Sequence, residues 1–100
     1  MPLRHVVLFA FKDDASFEDV DAVVSGLKAL PAAIPGVTAC EWGTNVSPEG
    51  LNDGFTHCFT LTFEEAEDRD AYLVHPAHQR FVKNLKNCLD KSLVLDYWAK

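Results

Sequence analysis

One hundred residues, 48% hydrophobic and 24% charged, suit one globular α+β domain over residues 1–100 and leave no room for a second. Nine basic residues against fifteen acidic ones give a net charge of −6, which offers no electrostatic footprint for nucleic acid or an anionic membrane surface. No run approaches the roughly 18–20 apolar residues of a membrane span and the N-terminus lacks the apolar core of a secretory signal, so the expected location is the cytoplasm.

Residues 3–12 read as a first strand that is apolar on both faces: Leu3, His5, Val7, Phe9 and Phe11 on one, Val6, Leu8 and Ala10 on the other. Such a strand is covered on both sides. Ser16 then caps a helix whose first turn carries Glu18 and Asp19, with Phe17, Val20, Val23, Val24, Leu27 and Leu30 at helical spacing. Pro31, Pro35 and Gly36 are expected to end it, and residues 37–45 form a second strand carrying Trp42.

A polar segment over residues 45–54 precedes the cleanest alternation in the chain, with Phe55, His57, Phe59, Leu61 and Phe63 on one face of a third strand. Residues 64–74 read as a short helix with an acidic start, and Pro76 opens another that carries Phe81, Val82, Leu85, Cys88 and Leu89. Residues 93–98 close the chain as a fourth strand. The order βαββααβ is the ferredoxin-like plan with its second helix broken in two, and it implies a four-stranded sheet in the order 4-1-3-2. Cys40, Cys58 and Cys88 are odd in number, far apart and without CxxC spacing, as expected of small buried hydrophobes in strand, strand and helix.

In this plan the first and third strands lie side by side and are expected to run parallel, which would bring His5 and His57 together at one end of the sheet. The fourth strand returns Asp96 to that end, and the segment after the third strand delivers Tyr72, His75 and His78 there. Four histidines, a tyrosine and an aspartate would then surround one mouth of an apolar compartment, the usual form of a small-molecule site. Histidine beside a carboxylate suits proton transfer near neutral pH. Each residue also has a purely structural alternative: His57 as a satisfied core histidine, His75 as the cap of the following turn, Tyr72 as packing, and Asp96 as a backbone partner at the sheet end. No metal is expected, because His75 and His78 are three apart with a helix-opening proline between them, unlike a helical zinc pair.

The segments His5-Val6-Val7-Leu8-Phe9, Ile34-Pro35-Gly36-Val37, Trp42-Gly43, Gly54-Phe55-Thr56-His57, Tyr72-Leu73-Val74-His75-Pro76-Ala77-His78 and Asp96-Tyr97 resemble the stress-responsive dimeric A/B-barrel family along the whole chain. The resemblance implies a dimeric α+β barrel, in which the sheet of a ferredoxin-like protomer packs on that of a second copy. A polyketide cyclase of that family is similar in its polar residues. By that likeness His78 would be the general acid/base, Tyr72 its assisting hydroxyl and Asp96 the residue orienting His78. His5, His57 and His75 would be polar contacts in a pocket lined by Val7, Phe9, Leu27, Phe59 and Phe81. The implied chemistry needs no cofactor. Three functions stay open: a cyclase- or lyase-like enzyme acting on a small apolar or carbonyl-containing molecule, a non-catalytic stress-related ligand-binding protein, and a cofactor-free monooxygenase.

Overall fold

Alternation in the first strand, β1 (Leu3–Phe11), buries Leu3, His5, Val7 and Phe9 while Arg4, Val6 and Leu8 stay half-exposed. This is a computed structural model, and it describes every residue from Met1 to Lys100. The helix α1 (Phe17–Ala33) starts with a capping box: Asp19 N donates to Ser16 Oγ at 3.0 Å and Ser16 N to Asp19 Oδ2 at 3.3 Å. Val23, Val24, Leu27 and Leu30 form its buried stripe, whereas Phe17 is exposed. Pro31 does not end the helix. It sits in the last turn, where Leu30 and Ile34 are both buried and Ile34 N still donates to the Leu30 carbonyl at 2.9 Å. Gly36, at φ 100°, then makes a turn that a side chain would strain, and an added Cβ would lie 3.1 Å from Asp68 Cβ.

The remaining elements are β2 (Val37–Thr44), β3 (His57–Phe63), α2 (Ala66–Val74), α3 (Pro76–Leu85) and β4 (Leu89–Trp98). His75 caps α3, its Nδ1 accepting from Ala77 N at 3.0 Å, and Pro76 occupies the first turn, where its missing N–H costs nothing. The helix stops at Leu85, short of the expected Cys88 and Leu89. Cys88 is buried in the following turn, and its carbonyl accepts from Lys12 N at 2.9 Å. The last strand therefore begins at Leu89, not at residue 93.

The sheet order is β2-β3-β1-β4, the expected order read from the other edge, and every pairing is antiparallel. The parallel arrangement expected of the first and third strands is thereby overturned. A crossover through α1 leaves β1 and β2 parallel, and β3 returns from β2 through a loop with no crossover helix, so it runs antiparallel to β2 and hence also to β1. His5 consequently faces Leu61, and His57 faces Phe9. The two histidines sit at opposite ends of the sheet, roughly 13 Å apart along the strand.

All three helices cover one face, over a core of Leu3, Val7, Phe9, Leu27, Phe59, Leu61, Phe63 and Tyr72. On the uncovered face the register sets Val6 against Leu95 and Leu8 against Leu93, with Tyr97 beside Arg4. Leu93, Leu95 and Tyr97 are 48%, 60% and 47% exposed, forming an apolar row where a lone protomer meets water. No helix is long and apolar enough to cross a membrane.

Candidate acid/base pocket

Between the sheet and helices α1, α2 and α3 lies a cavity of about 360 Å³. Its walls are Val7, Phe9, Leu27, Leu73, Phe81, Val82, Leu85, Leu89 and Val94, and its polar groups are His5, Tyr72, His78, Lys86, Ser92 and Asp96. Each polar group at the His5 end is placed by a local rule. His5 points inward because it shares the odd face of β1 with Leu3 and Val7, and Asp96 pairs with it across β4. Tyr72 lies on the inner face of α2 and is 2% exposed. The His75-Pro76 break redirects the chain so that His78, in the first turn of α3, comes back over Tyr72, with ring centroids 4.6 Å apart.

The rings of His5 and Tyr72 meet edge to face at 5.8 Å, and Phe63 supports both from behind at 6.4 and 5.4 Å. His5 Nδ1 is 2.7 Å from Asp96 Oδ1, and Arg69 Nη1 donates to Asp96 Oδ2 at 2.6 Å. Arg69 also donates through Nε to Asp70 at 2.9 Å. His78 Nδ1 is 3.1 Å from the Leu73 carbonyl. Since a carbonyl only accepts, His78 carries its proton on Nδ1 when neutral and leaves Nε2 as a free acceptor.

Burial pushes the His78 pKa down, helped by nearby His5 and opposed by the Leu73 hydrogen bond. Burial pushes the Tyr72 phenol far above its usual range, so it stays a neutral hydroxyl at any working pH. A base that is free near neutral pH thus stands against a hydroxyl that does not ionise. That pairing can accept a proton from a carbon or oxygen acid and donate a hydrogen bond to a developing oxyanion.

The pocket gathers most of the sequence-derived site but not all of it. His5, Val7, Phe9, Leu27, Tyr72, His78, Phe81 and Asp96 line it. Phe59 lies one layer deeper, fully buried behind Phe9 at 5.6 Å. His75 caps a helix instead of facing the cavity. His57 is at the far end of the sheet, ring-parallel to Trp42 at 6.2 Å and edge-on to Phe11 at 5.1 Å. Asp96 orients His5 and not His78, whose Nδ1 is held by the Leu73 carbonyl instead. Arg69 was not anticipated. Its spacing three residues before Tyr72, on the same helix face, is the one signal that would have pointed to it. No group of three or more His, Cys, Asp or Glu side chains is arranged to hold a metal ion.

Burial also pushes the His57 pKa down. For a histidine whose folded pKa lies below its ordinary 6.5, the unfolded chain binds protons first as pH falls. Stability from these two sites is therefore complete above about pH 6.5 and declines as pH drops through that value toward the folded pKa. In NMR titrations both rings should titrate below 6.5, and His78→Gln should lessen the fall in denaturant midpoint between pH 7.5 and 5.5. A midpoint for His78 above 6.5 would contradict the burial argument.

The fold and this pocket define a ferredoxin-like α+β protein with histidine, tyrosine and aspartate side chains at one end of a mainly apolar cavity. The profile of the stress responsive A/B barrel domain matches residues 3–99, and the chain belongs to that family. Stress-response A/B barrel domain-containing protein HS1 of Arabidopsis thaliana is 42% identical over 96% of this chain and 88% of its own length. Olivetolic acid cyclase of Cannabis sativa is 29% identical over 97% and 96%. Among solved structures, a hydroxynitrile lyase from Passiflora edulis superposes with a TM-score of 0.89 at 28% identity, covering 96% of this chain and 91% of that one. A dimeric ferredoxin-like protein from Jannaschia sp. CCS1 superposes with a TM-score of 0.85 at 27% identity, covering 99% and 100%.

Proposed function

We propose that this chain works as a homodimer through its uncovered sheet face and that each subunit takes a small apolar or carbonyl-containing molecule into its pocket for cofactor-free acid/base chemistry of the cyclase or lyase kind. The observation that carries the reading is the meeting of His78, Tyr72 and the His5–Asp96 pair at one end of an otherwise apolar cavity. In this role His78 Nε2 takes a proton from the substrate and later returns it, while the Tyr72 hydroxyl donates to the oxygen on which charge develops. Two relatives named for cyclase and lyase activities support that class of reaction. Three free cysteines suit a reducing compartment, in keeping with a cytoplasmic protein.

The test is a panel of small β-dicarbonyl and hydroxynitrile compounds assayed for turnover without added cofactor, alongside native mass spectrometry of freshly purified protein. Turnover abolished by filling the cavity through Val7→Trp supports the reading. A protein that turns over nothing in the panel and retains a bound apolar molecule at one copy per subunit would replace it with the second reading, a non-catalytic carrier, which the mainly apolar cavity walls favour.

A further inference from the structure

We propose that Arg69 is a positioning residue that makes His5 a second base of the pocket, by clamping Asp96 so that one carboxylate oxygen faces the imidazole. The inference rests on the acid/base reading above, and it adds a second proton-transfer group to the one supplied by His78.

The geometry is a chain of contacts. Arg69 Nη1 donates to Asp96 Oδ2 at 2.6 Å, and Asp96 Oδ1 lies 2.7 Å from His5 Nδ1. One Asp96 oxygen accepts from the guanidinium and the other faces Nδ1, so the geometry places the proton between Asp96 and His5 on Nδ1. A neutral His5 then carries a lone pair on Nε2, which has no protein partner. No buried side-chain nitrogen or oxygen is left unpaired, so this nitrogen keeps access to the cavity that His5 lines. His78 is fixed in the same tautomer by a different device, the Leu73 carbonyl.

Two imidazoles thus flank Tyr72, each with Nδ1 occupied and Nε2 open, at 5.8 Å and 4.6 Å from the phenol ring. One can remove a proton while the other, once protonated, supplies one. The groups facing His5 are Asp96 from β4, Tyr72 from α2 and His78 from α3, with Phe63 of β3 against its ring. Asp96 is partly open to solvent, its side chain being 23% exposed. Without Arg69 its carboxylate is free to turn toward water, and the alignment on His5 is lost. Asp70 binds only the Nε side of Arg69 and faces solvent, so it contributes little to that aim.

The experiment is ¹⁵N NMR of the imidazoles in the full-length protein without ligand. In the parent, His5 should show the Nδ1–H tautomer with a slowly exchanging Nδ1 proton. In Arg69→Gln that proton should exchange with solvent roughly tenfold faster or more, the change expected from weakening one charge-assisted hydrogen bond. Arg69→Lys should restore part of the protection and Asp70→Asn should leave it unchanged, while the His78 signals stay put in all three. A parent His5 in the Nε2–H form, or an Arg69→Gln protein with unaltered His5 exchange, overturns the proposal. Neither result depends on a substrate, so failure here is distinct from failure of the acid/base function.

Discussion

Leu8→Lys should convert the proposed homodimer into a folded monomer at micromolar concentration. In the protomer Leu8 is only half-buried, on the sheet face that no helix covers, beside Leu93 of β4 and Cys58 of β3. A lysine there can extend into water, so a lone protomer tolerates the change and its circular dichroism should match the parent. Packed against a second sheet, the same ammonium loses its hydration, at an effective cost of several kcal/mol per ion. A two-fold interface presents every substitution twice, and the dissociation constant should rise by at least about a thousandfold. Sedimentation equilibrium reads this directly. The structural argument is the apolar row of Leu93, Leu95 and Tyr97, and the dimeric relative from Jannaschia shares the fold over its whole length. A parent protein that sediments as a stable monomer at micromolar concentration would sink the dimer.

That row was legible in the sequence because a strand's side chains alternate whatever lies above it. Val6 and Leu8 had to lie opposite His5 and Val7, and they are half-exposed where those two are buried; the alternation of burial breaks at Ala10, which is 4% exposed beside a register shift. Alternation has no sign, however. It tells which residues share a face but not which way the strand runs, and the parallel pairing expected of the first and third strands moved His57 to the wrong end. The connections carry the missing sign: α1 makes β1 and β2 parallel, and the helix-free return from β2 makes β3 oppose both.

Local punctuation was misread in two places for a related reason. Pro31 ends a helix only where the turn needs its N–H, and here burial of Leu30 and Ile34 holds the last turn without it. Cys88 and Leu89 fit a helical stripe as well as a turn and a strand start, and tertiary packing settled the matter for the strand. The approach of His78 to Tyr72 depends on short-range spacing across the break at Pro76, which is why the sequence carries it. The partner of Asp96 did not, because a contact between β4 and α2 leaves no mark in either segment alone.

With a turnover substrate in hand, His78→Ala should lower kcat by about 10²–10⁴-fold, the usual worth of one positioned acid/base group. Its Nδ1 is committed to the Leu73 carbonyl, so only Nε2 can exchange protons with a bound molecule, and burial keeps that nitrogen unprotonated at neutral pH. The ring is half-exposed and caps no helix, so its removal should leave the fold intact. The KM should change less than kcat, because the apolar walls of Val7, Phe9, Leu27 and Phe81 remain to hold the substrate. Tyr72→Phe keeps the packing against His5 and Phe63 and removes only the hydroxyl, so it isolates stabilisation of the developing oxyanion. The pH profile supplies an independent check. For the parent, kcat/KM should hold near neutral pH and fall on the acid side with an apparent pKa below 6.5, the direction that burial imposes on His78. If His78→Ala leaves both the rate and this acid limb unchanged, His78 is not the base, and His5 with its Asp96 partner becomes the group that moves the proton.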